Sequence, residues 1–498
     1  MKPQTQAAGP QEIELKLLLP DLGDVALLAL LSQAAPLAGR KPAREQLHSI
    51  YFDTPGLDLL RQRVALRLRQ VAGGGGASRW VQTLKTAGRP GAALSERGEW
   101  EWPAAGAAPE AAPLWASIWP RIDPDGTLLA QLQPCFDTRF ERTSWQVAPA
   151  PGCAVEVALD LGRITAGPRS ERLCELELEL KAGQPAQLFE LAEQIAQTVP
   201  VLPGTRSKAE RAYALCQGDA GPARRGGAPL LAARLPVRQA ALQVLSAAFA
   251  QFADNLGILA LSDDPEVVHQ ARVGWRRWRS ALRLFSPVLP EAAPPGSAAL
   301  KPLLAALGEL RDLDATLTDT LPCWAEAFAA GDAGRAAAWS EADAALRAAA
   351  QAQRQAVRDL LRTPATGQAL LQLARWVDGL GRASLVVRSR ARRRVPLGAW
   401  ATGRLQRVRR RLKGALREAA TPEQLHRQRI LAKRLRYGTE ALRDVLPPRK
   451  ARRWQQQAIA LQTSLGAARD LQRAVEQLSR QGGDPGVIEF LRGVVAAG

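Results

Sequence analysis

The chain is poor in the residues that carry covalent catalysis. Its 498 residues include five cysteines and three histidines, and no cysteine or serine is marked as a nucleophile by its surroundings. The cysteine number is odd and no Cys-x-x-Cys pair occurs, which favours buried free thiols in a reducing cytosol over a disulfide framework. No GxxxxGKS/T sequence occurs either, which argues against a P-loop nucleotidase.

Long apolar segments are missing as well. The nearest is VALLALL at 25–31, which is far shorter than the ~18 residues that a membrane-spanning helix needs. The N-terminal MKPQTQAAGPQ lacks the apolar core of a secretory signal. We therefore expect a cytoplasmic protein with no membrane partner.

The net charge of +19 is unevenly distributed along the chain. Residues 1–217 hold 23 Lys+Arg and 24 Asp+Glu, a net of −1, whereas residues 218–498 hold 44 and 24, a net of +20. The length allows two or three domains, and 46% hydrophobic residues are enough to form their cores. A near-neutral module is thus joined to a strongly basic one, which should attract an extended polyanion.

Several segments of the first half alternate charged and apolar residues. In EIELK the residues Glu12, Glu14 and Lys16 share one face of a strand, because side chains i, i+2 and i+4 point the same way. A one-sided polar strand is usually a solvated outer face, but five in one domain predict a closed barrel with a charged, water-filled tunnel. The same alternation recurs in Arg67 and Arg69; Glu99 and Glu101; Glu156 and Asp160; and Glu175, Glu177, Glu179 and Lys181.

The second half is helical in pattern from residue 237 and contains an internal repeat. VHQARVGWRRWR at 268–279 aligns with LHRQRILAKRLR at 425–436, and LGELRDL at 307–313 aligns with LGAARDL at 465–471. The two offsets are 157 and 158 residues, which indicates a duplicated helical unit spanning roughly 237–385 and 386–498.

Each copy of the repeat carries a basic stripe led by a histidine. Cations in one line repel each other, so the stripes favour a bound anion. Trp275 and Trp278 have apolar counterparts in the second copy, which places them in the core rather than among stacking partners. Arginine without stacking aromatics favours inorganic polyphosphate over nucleic acid. The histidine at the head of each stripe either contacts phosphate or forms its hydrogen bonds inside the helix bundle. The first stripe is His269, Arg272, Arg276 and Arg279, and the second is His426, Arg429, Lys433 and Arg436.

An ordered set of motifs resembles the CYTH domain of the triphosphate tunnel metalloenzyme superfamily over residues 10–217. The second half resembles the CHAD domain over 237–498, after a linker at 218–236. The resemblance implies an α+β protein of two modules, an N-terminal eight-stranded antiparallel β-barrel and a C-terminal all-α duplicated helical bundle. The motifs are EIELK, HSIYFDTPGLDL at 48–59, LRLR at 66–69, LKT at 84–86, GEWEW at 98–102, FDTRFERTSW at 136–145, VEVALDLG at 155–162, CELELELK at 174–181 and SKAERAYAL at 207–215.

The pairing of these two domains resembles the bacterial inorganic triphosphatases. It implies hydrolysis of inorganic triphosphate to pyrophosphate and phosphate with Mg²⁺ or Mn²⁺, together with binding of inorganic polyphosphate and an association with polyphosphate granules. Arg139 is a weaker candidate than Arg142 because it has the opposite strand parity. The resemblance assigns Glu12, Glu14, Lys16 and Lys85 to catalysis; Arg67, Arg69, Arg142, Lys181 and Lys208 to the substrate; and Glu12, Glu14, Glu156, Glu177 and Glu179 to metal, with the choice within Glu175, Glu177 and Glu179 open.

Other functions stay open at this point. The protein could bind polyphosphate without catalysis, although so many carboxylates would not help a pure anion receptor. A thiamine triphosphatase or an adenylate cyclase would use the same tunnel but would need a pocket for its organic group, and no aromatic cluster marks one. Nucleic-acid binding by the basic half is the weakest alternative.

Overall fold

The computed structural model describes most of the chain. The described residues are 10–73, 78–88, 93–218, 222–290, 294–386, 395–418, 421–464 and 467–497. Three stretches that matter for the sequence predictions lie outside the described residues. They are 219–221 in the expected linker, 387–394 near the start of the expected second copy, and 465–466 in the second repeat motif.

The first half forms a closed antiparallel barrel, as predicted. Its strands follow the order β5-β4-β3-β2-β6-β7-β8-β1, and β1 also pairs with β5, which closes the sheet. A ninth short strand, β9, pairs with the second half of β1. The strands are β1 Gln11–Leu18, β2 Ala43–Asp53, β3 Val64–Gly73, β4 Ser78–Thr86, β5 Leu94–Ala104, β6 Gln133–Val147, β7 Ala154–Ala166, β8 Arg169–Ala182 and β9 Leu202–Gly204.

The apolar faces of the barrel strands point outwards and are covered by helices. Leu15 and Leu17 of β1 and Leu176 of β8 are fully buried although the opposite face of each strand is charged. Each buried leucine of this kind contributes about 2 kcal/mol. Part of the inward face is apolar as well, because Leu47 and Tyr51 alternate with the inward Ser49 on β2 and pack with Phe136 and Phe140. The covering helices are α1 Asp24–Gln33, α2 Asp58–Arg61, α3 Ala111–Leu114, α4 Trp119–Ile122, α5 Pro185–Ile195 and α6 Lys208–Gln217.

Helix α6 packs on β6, β7 and β8 and delivers charged residues to the lumen. It begins with a capping box in which the Ser207 side chain accepts from the backbone of Glu210, and the Glu210 carboxylate accepts from the backbone of Ser207. Tyr213, near the middle of the helix, holds it against the barrel, because its hydroxyl donates to the buried carboxylate of Asp53 at 2.9 Å. The orientation of Lys208, the first residue of the helix, follows from these two anchors.

From residue 237 onwards the described part of the chain is mainly helical. The stripe-bearing helices α8 and α14 each begin with a capping residue followed by proline, Asp264 before Pro265 and Thr421 before Pro422. Gly274 lets α8 approach α7, because a Cβ there would lie 2.7 Å from the backbone nitrogen of Phe252. The helices are α7 Val237–Leu259, α8 Pro265–Phe285, α9 Lys301–Ala315, α10 Ala325–Ala329, α11 Ala333–Leu361, α12 Pro364–Val386, α13 Leu397–Ala415, α14 Pro422–Ala441, α15 Pro448–Ser464, α16 Ala467–Arg480 and α17 Pro485–Ala497.

The chain divides into two compact units. The barrel's unit comprises the residues up to 222 together with 362–378, and the second unit comprises 223–361 and 379–498. Within the first unit Arg375 pairs with Glu190 at 2.7 Å and with Glu193 at 3.3 Å. The sequence gives no sign that a segment so far along the chain packs with the barrel.

The five cysteines are free thiols, and none is part of a disulfide. Cys153 is buried as expected, but Cys323 is exposed, so the expectation of uniformly buried thiols was wrong for that residue. Among the helices the structure describes, none has the length and apolarity required to cross a membrane.

Candidate functional site

The alternating charges of β1 face the barrel lumen. Glu14 and Lys16 are only 3% and 4% exposed. Their cross-strand partners are also charged, since Lys16 lies opposite Glu177 and Glu14 lies opposite Glu179 on β8. The strand register therefore converts a sequence alternation into rows of buried charges.

The first group of charges joins β1 to β4 and β5. Glu12 accepts from Lys85 at 3.0 Å and from Arg97 at 2.6 Å, and Arg97 also donates to Glu14 at 2.7 Å. Burial alone would raise the pKa of Glu12, but the charges of Lys85 and Arg97 outweigh it and hold that pKa well below its usual value. Burial, opposed by Lys85 and reinforced by Glu12, raises the pKa of Glu99 to about 7.

The second group lies beneath α6. Lys208 contacts Asp160 at 2.7 Å, Glu175 at 2.7 Å and Glu177 at 2.8 Å. Lys16 contacts the same two glutamates, at 2.9 Å for Glu175. Burial opposes ionisation of Glu175, yet the surrounding cations lower its pKa to about 2. This group is therefore a set of charged pairs that already satisfy one another.

Arg142 and Arg211 complete the second group. The Arg142 guanidinium donates to both carboxylate oxygens of Asp160 at 2.7 Å and to Glu177 at 2.6 Å. Arg211 of α6 donates to Glu175 at 2.8 Å and to Glu171 at 2.7 Å. Fork-shaped contacts of this kind fix the position of a carboxylate as well as its charge.

A third group adds Arg69 to two cations of the second group. Arg69, Arg142 and Lys208 lie over the ring of Phe140, at 5.7, 5.9 and 5.2 Å from its centroid. The Arg69 Nε donates to the neutral hydroxyl of Ser49 at 2.9 Å. Burial, Arg67 and Arg142 lower the pKa of Arg69 to about 10. A group whose neighbours disfavour its charge gains from a bound anion, so this is the part of the lumen best suited to phosphate.

A row of carboxylates lies in register across three strands. Glu179 of β8 is opposite Glu14 of β1 on one side and Glu156 of β7 on the other. Burial raises the pKa of Glu179, and Glu12 and Glu156 raise it further against the opposing charge of Lys181. Hard carboxylate oxygens match the preference of Mg²⁺ and Mn²⁺. Arg97 donates to Glu14 and Lys181 pairs with Glu179, so a metal would share these carboxylates with cationic side chains.

A second acidic cluster has the right spacing for a metal but is already neutralised. The ligand atoms of Asp160, Glu175 and Glu177 all lie within 4.8 Å of one another. Lys208 contacts all three of these carboxylates. The structure thus separates Glu177, which was expected beside Glu12 and Glu14, into a set that cations occupy.

Most of the site residues predicted from the sequence face the lumen, and the exposed fraction of their side chains varies. Lys181 is the most exposed, with 44% of its side chain accessible, and it pairs with Glu179 at 2.6 Å. The side chain of Arg139 is 71% exposed and pairs with Asp137, as its strand parity indicated. The buried or half-buried members are Glu12, Glu14, Lys16, Arg67, Arg69, Lys85, Arg142, Glu156, Glu177, Glu179 and Lys208.

Sequence reasoning gave no role to three charged residues of the site, namely Arg97, Asp160 and Arg211. Arg97 has the same parity as Glu99 and lies two residues before it, so extending that strand backwards would have found it. Asp160 was placed on the right face without a role, and Glu175 was one of three glutamates among which the choice of metal ligand stayed open. Arg211 lies one helical turn after Lys208, on the same face of α6.

The basic stripes of α8 and α14 lie on helices that contact each other. Trp275 and Trp278 are 8% and 1% exposed, which confirms their core position. The two histidines are not equivalent, because His269 accepts from Arg311 Nε at 2.9 Å whereas His426 is exposed. Burial and the charge of Arg311 lower the pKa of His269, so it is a satisfied, neutral histidine.

The fold and the two kinds of charged surface define a two-domain protein, a tunnel barrel followed by a basic helical domain. Residues 10–213 match the family model of the CYTH domain, and residues 243–479 match that of the CHAD domain. The chain thus contains a CYTH domain followed by a CHAD domain.

One similar relative is a Haemophilus influenzae inorganic triphosphatase. It is 32% identical over 206 residues, which are 41% of this chain and 55% of the relative. The chain thus spans about half the length of the curated relative that it matches.

Solved structures resemble the two parts separately. The CHAD domain of the plant Ricinus communis is 29% identical with a TM-score of 0.47, covering 55% of this chain and 90% of that one. A Hippeastrum adenylyl cyclase candidate with a dominant triphosphatase activity is 22% identical with a TM-score of 0.32, covering 42% of this chain and 98% of that one.

Proposed function

We propose that this chain hydrolyses inorganic triphosphate to pyrophosphate and phosphate within the barrel lumen. The observation that carries the proposal is that cations and carboxylates line one tunnel. Arg69 lies over Phe140 with a pKa lowered to about 10, and the carboxylates of Glu14, Glu179 and Glu156 lie in register across three strands. A metal-bound polyphosphate needs both kinds of surface at once. The similarity to an inorganic triphosphatase supports the same activity.

The cations would bind and orient the phosphate chain. Arg67 and Arg69 follow the alternation of β3 into the lumen, and the Nε of Arg67 is buried with no hydrogen-bond partner among the described residues. Guanidinium groups bind phosphate oxygens through paired donors, and a fixed substrate reduces the entropic cost of the reaction. Lys85 and Arg97 hold Glu12 and Glu14 in place.

Glu14, Glu156 and Glu179, with Glu12 beside them, would hold the divalent cation. Bound Mg²⁺ or Mn²⁺ supplies charge neutralisation and polarises a phosphoryl oxygen. The buried walls exclude bulk water, which strengthens the field of every charged side chain on the substrate. No covalent intermediate is required, because phosphoanhydride hydrolysis depends mainly on positioning and electrostatics.

The test is phosphate release from tripolyphosphate with and without Mg²⁺ or Mn²⁺. We expect a metal-dependent rate that falls by about 10²–10³-fold in the Glu14→Gln/Glu179→Gln double variant. Arg139→Gln is the matched control, since Arg139 is on a barrel strand but points outwards. Circular dichroism should show that both variants fold. Equal activity of the double variant would refute the metal assignment.

Assays with other triphosphates distinguish the alternative functions. Faster hydrolysis of thiamine triphosphate or ATP than of tripolyphosphate, or formation of cyclic AMP, would show that the natural substrate is an organic triphosphate. Absence of turnover with every triphosphate, together with intact polyphosphate binding, would favour a binding protein instead.

We also propose that the helical domain binds inorganic polyphosphate. The support is the net charge of +20 in residues 218–498 and the contact between the two stripe-bearing helices. Because residues 362–378 pack with the barrel, the full chain is the right material for the measurement. Binding of long-chain polyphosphate should survive moderate salt, where several contacts still hold, and should resist competition by duplex DNA. A stronger preference for DNA would refute the proposal.

A further inference from the structure

A segment from the second half of the chain is part of the barrel's unit. Residues 362–378, most of which lie in helix α12, are grouped with the barrel rather than with the other helices. The side chains of Leu370, Leu373 and Val377 in this stretch have no exposed surface. We call residues 362–378 the α12 segment. Its contacts within the barrel's unit are with α5 and with the residues that follow α5.

The α12 segment lies against the backbone of residues 196–201. A Cβ at Gly367 would be 2.5 Å from the carbonyl oxygen of Val201, which is closer than a side-chain carbon can approach. The next residue, Gln368, donates from its Nε2 to the carbonyl oxygen of Ala196 at 3.3 Å. The segment therefore fixes the path of residues 196–201 through their backbone, and the close approach requires glycine at position 367.

Residues 196–201 lead directly into β9, which completes the sheet beside Lys16. Strand β5 pairs with β1 only over residues 11–15, and β8 occupies the other edge of β1. Beyond that point β9 takes the place of β5 and pairs with residues 16–18. Strand β9 has three residues, and Pro203 among them has no N–H to donate. A strand this short is held weakly by its own hydrogen bonds and depends on the packing of the residues before it.

Lys16 is the lumen residue that β9 contacts. Gly204 of β9 lies opposite Lys16, and a Cβ on Gly204 would be 3.1 Å from the Lys16 Cγ. The Lys16 ammonium in turn contacts Glu175 at 2.9 Å and also contacts Glu177. A continuous series of contacts thus runs from the α12 segment, through residues 196–201 and β9, to a buried charge of the lumen.

We propose that the α12 segment is a positioning element for the lumen, because it holds β9 against β1 and thereby fixes Lys16. This inference rests on the proposed triphosphate hydrolysis and adds a requirement for residues outside the 10–213 that match the CYTH family. Lys16 is only 4% exposed, so its ammonium has little freedom to correct a shift of its strand. A misplacement of ~1 Å can lower an enzymatic rate by about 10²-fold.

The first measurement is backbone hydrogen exchange of the full-length protein, followed by mass spectrometry. Gly367→Ala should accelerate exchange in residues 196–204 and 16–18 by about tenfold or more, because the added Cβ forces the α12 segment away from Val201. Gly379→Ala is the matched control, since Gly379 is on the same helix and a Cβ there meets no atom within 4 Å. The control should exchange like the wild type in both stretches.

A milder variant covers the case in which Gly367→Ala does not fold. Gln368→Ala removes only the hydrogen bond to the Ala196 carbonyl. It should accelerate exchange in residues 196–204 by a smaller factor, about threefold to tenfold, with unchanged circular dichroism.

The second measurement is a double-mutant cycle in kcat/KM for tripolyphosphate. Gly367→Ala should lower kcat/KM by about tenfold or more in a chain that has Lys16, and by less than about twofold in the Lys16→Met background. The second effect is small because no Lys16 ammonium is left to misplace. The Lys16→Met background keeps Lys208 in contact with the same two glutamates, so we expect a residual rate that can be measured. A merely structural role would lower the rate equally in both backgrounds.

The possible failures can be told apart. If neither Gly367→Ala nor Gln368→Ala changes exchange in residues 196–204, the inference is refuted while the proposed hydrolysis stands. If Gly367→Ala slows both backgrounds equally, the segment stabilises the barrel without positioning Lys16, which also refutes the inference. If the wild type hydrolyses no triphosphate, the proposed function is refuted, and the positioning role fails with it whatever the exchange data show.

Discussion

Lys433 of α14 experiences the positive charges of Arg276, Arg429, Arg469 and Arg473, and these charges affect the stability of the folded chain. The pKa of Lys433 is lowered from 10.5 to about 8 in the folded chain, so folding disfavours the charged amine. Below about pH 8 this charge costs folding free energy, because the unfolded chain carries the same charge without penalty. Lys433→Met keeps the aliphatic stem and removes the charge. We therefore expect this variant to be more stable than the wild type at neutral pH.

The magnitude follows from the pKa difference. A change from 10.5 to about 8 is equivalent to ~3.4 kcal/mol at 1.36 kcal/mol per pKa unit. The Lys433 side chain is only partly buried, so solvent screening reduces the effect, and we expect a gain of about 1–2 kcal/mol. In a domain of this size the gain would raise Tm by about 2–8 °C.

The assay is thermal unfolding of the full-length wild type, Lys433→Met and Lys433→Arg in phosphate-free buffer. Between about pH 8 and about pH 10.5 the unfolded wild type binds more protons, so wild-type stability from this group rises with pH in that window. The advantage of Lys433→Met should therefore vanish near pH 10.5, and Lys433→Arg should show no gain at neutral pH. A Lys433→Met variant that is less stable than the wild type at pH 7, or whose advantage persists at pH 10.5, would refute the reasoning.

Three further predictions concern the barrel. Lys208→Met should destabilise the protein by about 3 kcal/mol in thermal unfolding, because it removes a buried partner of Glu175; an unchanged Tm would contradict the observed pairing. Arg69→Met should raise the KM for tripolyphosphate by about tenfold or more with intact folding, and Arg69→Lys should recover part of the loss. Arg97→Gln should weaken Mg²⁺-dependent activation, measured as the Mg²⁺ concentration for half-maximal rate, because Glu12 loses a partner at 2.6 Å; an unaltered Mg²⁺ dependence would show that Arg97 does not position the acids.

The sequence was sufficient for the barrel and for the direction of its charged faces. A period of two residues fixes which side chains share a face, and the outward position of Arg139 beside the inward Arg142 follows from that rule alone. The rule does not say which charges meet across strands. Glu177 and Glu179 have the same strand parity, but the strand register places them opposite different residues. Glu177 lies opposite Lys16 of β1, whereas Glu179 lies opposite Glu14 of β1 and Glu156 of β7.

The helical half shows the same limit at longer range. The repeat predicted equivalent basic helices, yet His269 accepts a hydrogen bond from Arg311 and His426 is exposed. That difference depends on α9, which lies beside one copy of the stripe. Likewise, nothing in the local pattern near Arg375 predicts its ion pairs with α5, since such contacts arise from tertiary packing.

The two charged surfaces differ in the kind of anion that they can stabilise. In the lumen most cations already have carboxylate partners, as Lys208 does with Asp160, and a bare polyanion would displace favourable pairs. A phosphate chain that arrives with a divalent cation provides a partner for each sign of charge, which fits a chamber built from both. The helical half has 44 Lys+Arg against 24 Asp+Glu in residues 218–498, so it offers less to a metal and more to uncomplexed phosphate. Charge balance therefore favours a metal complex in the barrel and a metal-poor polyanion on the helices.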